Sequence, residues 1–176
     1  MLKNIYNIFF IRIKLLLILT FRATKSILLP KALIINDNKY DWKDKIILVV
    51  EDDDANYLYF KSLLKKTSAK VVWKKNGHDA LNFINDPDQQ IDLILLDVLI
   101  PFVNGIEVTR ELRKKRKNLP VIVVTAYTSK EIRQSCFLSG CNEFLVKPVL
   151  PEKLISTIAR YLHEEEDVYA KLASLN

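Results

Sequence analysis

The chain has 176 residues and is 49% hydrophobic, enough for one α/β-sized domain with a good core and some length left over. Its two cysteines, Cys136 and Cys141, form no CxxC pair and no disulfide framework, which excludes a disulfide-stapled secreted scaffold and suits a reducing, cytoplasmic setting. The net charge of +6 lies wholly in residues 1–36, which hold six basic residues and no acid, so the remainder is neutral and nucleic-acid binding by the main domain is not expected.

Residues 1–40 differ in character from the rest. The longest uncharged apolar stretch runs only from Leu15 to Phe21, and a membrane-spanning helix would bury Arg12 and Lys14. A signal peptide fits poorly, because charges interrupt the apolar stretch. The expectation is a basic, apolar extension that is poorly ordered or the product of an upstream start codon; membrane contact through residues 1–36 is the less favoured alternative.

From Lys45 the pattern becomes regular. Ile46–Val50 reads as a buried strand, and 54–66 as a helix with Tyr59, Phe60, Leu63 and Leu64 on its apolar face. Val71-Val72-Trp73 is a short strand. Asn76-Gly77 reads as a turn, followed by a helix containing Ala80, Leu81 and Ile84 that ends near Asp86-Pro87. Asp92–Leu96 is the next strand. Asn104-Gly105 opens a loop before a helix with Ile106, Val108 and Leu112. The basic run from Arg113 to Lys117 suits that helix's negative C-terminal end. Pro120–Val124 is a strand, Ser129 an N-cap, and Gly140 the end of the helix it starts. Phe144–Val146 is the last strand, and Pro151 begins a final helix through Leu162.

Five strands alternating with five helices argue for a doubly wound parallel sheet covered on both faces. There is no Gly-rich phosphate loop, so a P-loop enzyme and a dinucleotide-binding fold are unsupported. Parallel strands bring their carboxyl ends to one edge, where open α/β sheets bind ligands. That edge would gather Glu51 and Asp52 after the first strand, Asp97 after the third, Thr125 after the fourth and Lys147 after the fifth. Asp92 opens its strand and belongs at the opposite edge.

Four segments in order carry a specific resemblance: VVEDD at 49–53, LILLDVLIP at 93–101, VIVVTA at 121–126 and FLVKP at 144–148. From about Lys45 to Leu162 the chain resembles the receiver domain of two-component response regulators. The resemblance implies a flavodoxin-like sheet of strand order 2-1-3-4-5. It divides the chain into an extension (1–40), a receiver domain (41–163) and an acidic tail or helix extension (164–176). Asp97 would be the phosphoacceptor, attacking a phosphohistidine or small acyl phosphate. Glu51, Asp52, Asp97 and the backbone carbonyl of Leu99 would hold Mg²⁺. Lys147 would neutralise a phosphoryl oxygen, Thr125 would donate a hydroxyl, and Phe144 would follow Thr125 as the switch aromatic. The Lys147–Pro148 bond would be cis.

Partners implied are a histidine kinase or histidine phosphotransfer protein and an unknown downstream protein. Tyr57, Leu58 and Pro148 are the expected docking residues, the first two lying off the helix's apolar face. Leu99 and Tyr127, flanking the route of an attacking water, predict a long-lived phosphate. Only fourteen residues follow Leu162, so output is expected through protein contacts. A pseudo-receiver without phosphotransfer is the alternative. An aspartyl-phosphate hydrolase is disfavoured, because Leu99 stands where such enzymes place a second aspartate.

Overall fold

The computed structural model describes residues 40–162, and the readings for 1–39 and 163–176 lie outside them. Five strands form one parallel sheet: β1 (Ile46–Val50), β2 (Lys70–Lys74), β3 (Leu93–Leu96), β4 (Val121–Thr125) and β5 (Glu143–Val146). Their order is β2-β1-β3-β4-β5. Five helices connect and cover them: α1 (Asp54–Leu64), α2 (Gly77–Asn85), α3 (Gly105–Lys115), α4 (Lys130–Ser139) and α5 (Pro151–Leu162).

Alternate strand residues serve opposite faces, as the pleat requires. Ile47, Val49, Leu93, Leu95, Ile122 and Val124 pack with α1 and α5 through Phe60, Leu64, Leu154 and Ile158. Leu48, Val50, Ile94, Leu96, Val121 and Val123 pack with α2, α3 and α4 through Ala80, Ile84, Val108, Leu112 and Cys136. A fully buried Leu or Ile contributes about 1.5–3 kcal/mol, so burial is a large part of what holds both helical layers to the sheet. The apolar strand runs follow from this double cover. Trp42, just before the regular pattern begins, is also in the core, its amide bonded to the Thr67 carbonyl at 2.6 Å.

Helix starts depart from the sequence reading in one respect. Asn76 and Asn104 were expected in a turn and a loop, but both are N-caps. Their side chains accept from the amides of Asp79 and Glu107, each three residues on. The acid at the third helical position is the partner that an Asn cap uses, and it favours the helix over a free turn. Asp53 caps α1 by accepting from Asn56 N at 2.8 Å, leaving Glu51 and Asp52 free of that duty. Gly140 takes φ 101° just past α4, the left-handed position where a Cβ would be strained. The basic run ending α3 is partly structural: Arg113 donates to the carbonyls of Gly140, Arg116 and Leu119 and to Asn142 Oδ1.

Candidate functional site

The register places the carboxyl ends of the central strands side by side. Val50 pairs with Leu96, and Asp97 N donates to Val50 O at 3.0 Å. Glu51 and Asp97 are therefore neighbours one residue past β1 and β3. On the far side, Thr125 pairs with Val146, and Lys147 N donates to Thr125 O at 2.8 Å. The strand order puts β1 and β3 in the centre with β4 and β5 on one side, so Lys147 must reach inward. It does: Lys147 Nζ lies 2.6 Å from Glu51 Oε2 and 2.6 Å from Asp97 Oδ2. The three side chains are 2%, 13% and 11% exposed for Glu51, Lys147 and Asp97.

Oxygen atoms of Glu51, Asp52 and Asp97 lie within 4.8 Å of one another. Three carboxylates and one ammonium leave this cluster two negative charges in excess, and every donor is a hard oxygen. Such a set fits a divalent cation of the Mg²⁺ type. Asp52 is exposed, so the cluster opens to solvent at that point.

Burial pushes the Glu51 carboxyl above its ordinary value, although Lys147 and a hydrogen bond from Asn56 pull the other way. For Lys147, burial disfavours the ammonium, but the carboxylates of Asp97 and Glu51 outweigh it and the net direction is upward. The ammonium is the form that the geometry holds.

The remaining residues take the following places. Thr125 is fully buried at the end of β4, and its Oγ1 accepts from Tyr127 N at 3.4 Å. Leu99, in the loop leaving β3, donates its amide to Asp97 Oδ1 at 3.3 Å, with its side chain 47% exposed. Phe144 is buried beside α4, with the Arg133 guanidinium 5.1 Å above its ring. The Lys147–Pro148 bond is cis, and Pro148 is exposed. Asp92 sits at the opposite edge, accepting from Ile46 N at 2.6 Å. Leu58 is exposed on α1, but Tyr57 is not: it is 8% exposed and stacks on Trp73. The docking expectation for Tyr57 is thereby corrected, because the edge strand supplies an indole face that buries the phenol ring.

Three residues near the site escaped the sequence reading. Asn56 donates to Glu51 Oε1 at 2.9 Å. Trp73 Nε1 donates to the Glu51 carbonyl at 2.8 Å. Phe102, in the β3–α3 loop, is 86% exposed with φ 68°. A phenylalanine at that dihedral is uncommon, and the Pro-Phe-Val run before Asn104-Gly105 is the only sequence signal for it.

An open parallel sheet of order 2-1-3-4-5 with acids at its switch-point edge is the flavodoxin-like α/β arrangement, which binds ligands at that edge. The response regulator receiver domain family matches residues 47–159. The chain belongs to that family, whose members are signalling modules of two-component systems. It is 32% identical over 120 residues to the polar-differentiation response regulator DivK of Brucella anthropi, covering 67% of this chain and 96% of that one. A CheY-like receiver domain protein from Methanospirillum hungatei superimposes with TM-score 0.65 at 29% identity, covering 70% of this chain and 97% of that chain. The receiver domain of the sensor histidine kinase PA1611 of Pseudomonas aeruginosa, which carries a magnesium ion in its active-site cleft, superimposes with TM-score 0.63 at 28% identity, covering 68% and 98%. No helix of the described residues is long and apolar enough to cross a membrane.

Proposed function

We propose that the chain is a Mg²⁺-dependent receiver whose Asp97 accepts a phosphoryl group from a histidine kinase or histidine phosphotransfer protein. The observation that carries this reading is the Lys147 ammonium at 2.6 Å from both Glu51 and Asp97, at the edge where Asp52 faces solvent. A carboxylate oxygen of Asp97 attacks phosphorus, a P–O bond forms, and the P–N bond of the phosphohistidine breaks with its electron pair leaving on the imidazole nitrogen. Two anions must approach for this, and Lys147 supplies positive charge to a phosphoryl oxygen. Glu51, Asp52, Asp97 and the Leu99 carbonyl would hold Mg²⁺, which supplies Lewis-acid neutralisation of the phosphoryl charge. Thr125 donates its hydroxyl to the phosphoryl group, and Phe144 repacks with it. That shift of population changes the face made by α4, β5 and α5, where Leu138 and Val146 are exposed, and a downstream protein reads the difference.

Leu58 and Pro148 contact the donor, joined by Leu99 and Phe102 on the loop beside the acceptor. Replacing Leu58 with Ala slows transfer from a protein donor and spares labelling by acetyl phosphate.

The test of the central reading is labelling by acetyl phosphate with Mg²⁺, with EDTA, and with Asp97→Asn. The expected result is one phosphoryl group on the wild type with Mg²⁺ and none in the other two arms. No label on the wild type would overturn the reading in favour of a pseudo-receiver, and label retained by Asp97→Asn would move the acceptor elsewhere.

A further inference from the structure

All four polar groups of Glu51 are engaged. Its amide donates to Lys74 O at 3.1 Å, and its carbonyl accepts from Trp73 Nε1 at 2.8 Å. Its Oε1 accepts from Asn56 Nδ2 at 2.9 Å, and its Oε2 holds Lys147 at 2.6 Å. Glu51 is thus pinned at backbone and side chain. Asp97 is held less completely: among the described residues its Oδ1 meets only the Leu99 amide, at 3.3 Å, and its Oδ2 shares the same ammonium.

The two carboxylates therefore play unequal parts toward Lys147. When an Asp97 oxygen becomes bonded to phosphorus, it loses its charge, and the ammonium must exchange that oxygen for a phosphoryl oxygen. The partner that stays constant is Glu51. A pivot works only if its anchor is fixed, and a carboxylate on three rotatable side-chain bonds is not fixed by an ammonium alone. Among the described residues, Asn56 is the side chain besides Lys147 that bonds the Glu51 carboxylate. It sits in the first turn of α1, and the Asp53 cap bonds its own amide at 2.8 Å, which fixes its backbone.

We propose that Asn56 is a positioning residue for phosphoryl transfer: its amide locks the Glu51 carboxylate, so that Lys147 turns from Asp97 to the incoming phosphoryl oxygen without leaving Glu51. This rests on Asp97 being the acceptor, and the experiment separates the two claims.

The full chain is compared with Asn56→Ala, with the near-isosteric Asn56→Asp, which keeps the volume but removes the donor, and with Asn56→Gln. The first readout needs no donor and no metal: the Lys147 ammonium resonance in ¹⁵N-edited NMR, assigned by its loss in Lys147→Arg. The second is the rate of labelling by acetyl phosphate with Mg²⁺ across donor concentrations. The expected result is a shifted or exchange-broadened ammonium signal in the Ala and Asp variants. Their maximal labelling rate falls about tenfold, the scale of one lost hydrogen bond to a charged group, with the half-saturating donor concentration unchanged. Asn56→Gln recovers at least half of the rate. An unchanged Lys147 signal in both Ala and Asp variants overturns the proposal, as does a wild-type labelling rate in both. A loss that Gln does not restore while the Lys147 signal stays wild-type also overturns it. If the wild type takes no label, the acceptor reading fails and the role in transfer falls with it, while the ammonium signal still decides whether Asn56 fixes the Glu51–Lys147 pair.

Discussion

Tyr57 lies flat on Trp73, ring centroids 3.8 Å apart and planes 6° from parallel. The stack joins the first helix to the edge strand, and Lys75 Nζ lies 4.5 Å from the Trp73 ring centroid. The same indole donates to the Glu51 carbonyl, so packing at the sheet edge reaches the acid pocket through one residue. Tyr57→Ala removes a buried aromatic and its partner surface, and is expected to cost about 2–4 kcal/mol. Tyr57→Phe keeps the ring and should cost under about 1 kcal/mol, while Leu58→Ala, on an exposed position, should stay within about 0.5 kcal/mol of wild type. Urea unfolding followed by tryptophan fluorescence checks all three. A Tyr57→Ala chain as stable as Leu58→Ala would mean the stack contributes nothing.

Gly105 shows why the third helix begins where it does. A Cβ there would sit 2.2 Å from the carbonyl oxygen of Asp97 and 3.0 Å from Val98 Cα. The helix start is thus pressed against the peptide of Asp97, the proposed acceptor, and Gly105 N bonds Val98 O at 2.8 Å. Helix propensity alone says that Gly→Ala stabilises by up to about 1 kcal/mol. The close approach says the opposite: Gly105→Ala is expected to destabilise by about 1–3 kcal/mol, the cost of overpacking. It should also lower the labelling of Asp97, because the backbone must move to make room. Stability equal to or above wild type by urea unfolding would refute the crowding.

The central strands and the acid–hydroxyl–lysine set were legible because β1, β3 and β4 are buried on both faces and each of them, like the shorter β5, leads into a residue that burial alone would not select. Glu51, Asp97 and Lys147 stand out against Ile46–Val50, Leu93–Leu96 and Glu143–Val146 for that reason. The face of α1 was not legible. Tyr57-Leu58-Tyr59-Phe60 is four apolar residues in a row, and a 3.6-residue period cannot choose among them. What chose Tyr57 was Trp73, which comes from a different element. Asn76 and Asn104 were misread because Asn-Gly serves both turns and helix starts, and the deciding acids, Asp79 and Glu107, lie three residues downstream. Trp42 precedes the first strand and has no periodic neighbour to announce its burial. Asn56 carries no motif of its own; only the folded distance to Glu51 reveals it.

The lifetime of the phosphate follows from what surrounds the mouth of the site. The Leu99 amide touches Asp97 Oδ1 at 3.3 Å, and the Tyr127 amide touches Thr125 Oγ1 at 3.4 Å. Both side chains therefore start from backbone in contact with Asp97 and Thr125, and both are nearly half exposed. Neither has a carboxylate or amide to orient an attacking water. A long-lived aspartyl phosphate is expected, and Leu99→Asn with Tyr127→Glu should shorten its half-life by about a hundredfold, the lower end of what a positioned base contributes. Decay of ³²P label from the purified phosphoprotein measures it. An unchanged half-life in the double variant would sink the argument.

Cys141 gives a prediction in pH. The thiol is buried at the start of the turn into β5, and burial, with Cys136 nearby adding to it, pushes its pKa up to about 12 from 9.0. The thiolate is the nucleophile, so at pH 8 about one folded chain in ten thousand presents it, against about one in ten when unfolded. Iodoacetamide should leave Cys141 unmodified in the native chain and label it fully in urea. The linkage has a definite sign. A folded-state pKa above the unfolded value means the folded state binds the proton more tightly, so the stability it contributes is complete below about pH 9 and is lost as pH rises toward about 12. Lys147, also raised, adds a loss in the same direction above its ordinary value of 10.5. Cys141→Ala removes only the first part, so its urea midpoint should fall less steeply between pH 9 and 10.5 than that of the wild type. Parallel slopes for the two chains over that window would show that the thiol titrates as freely in the fold as outside it.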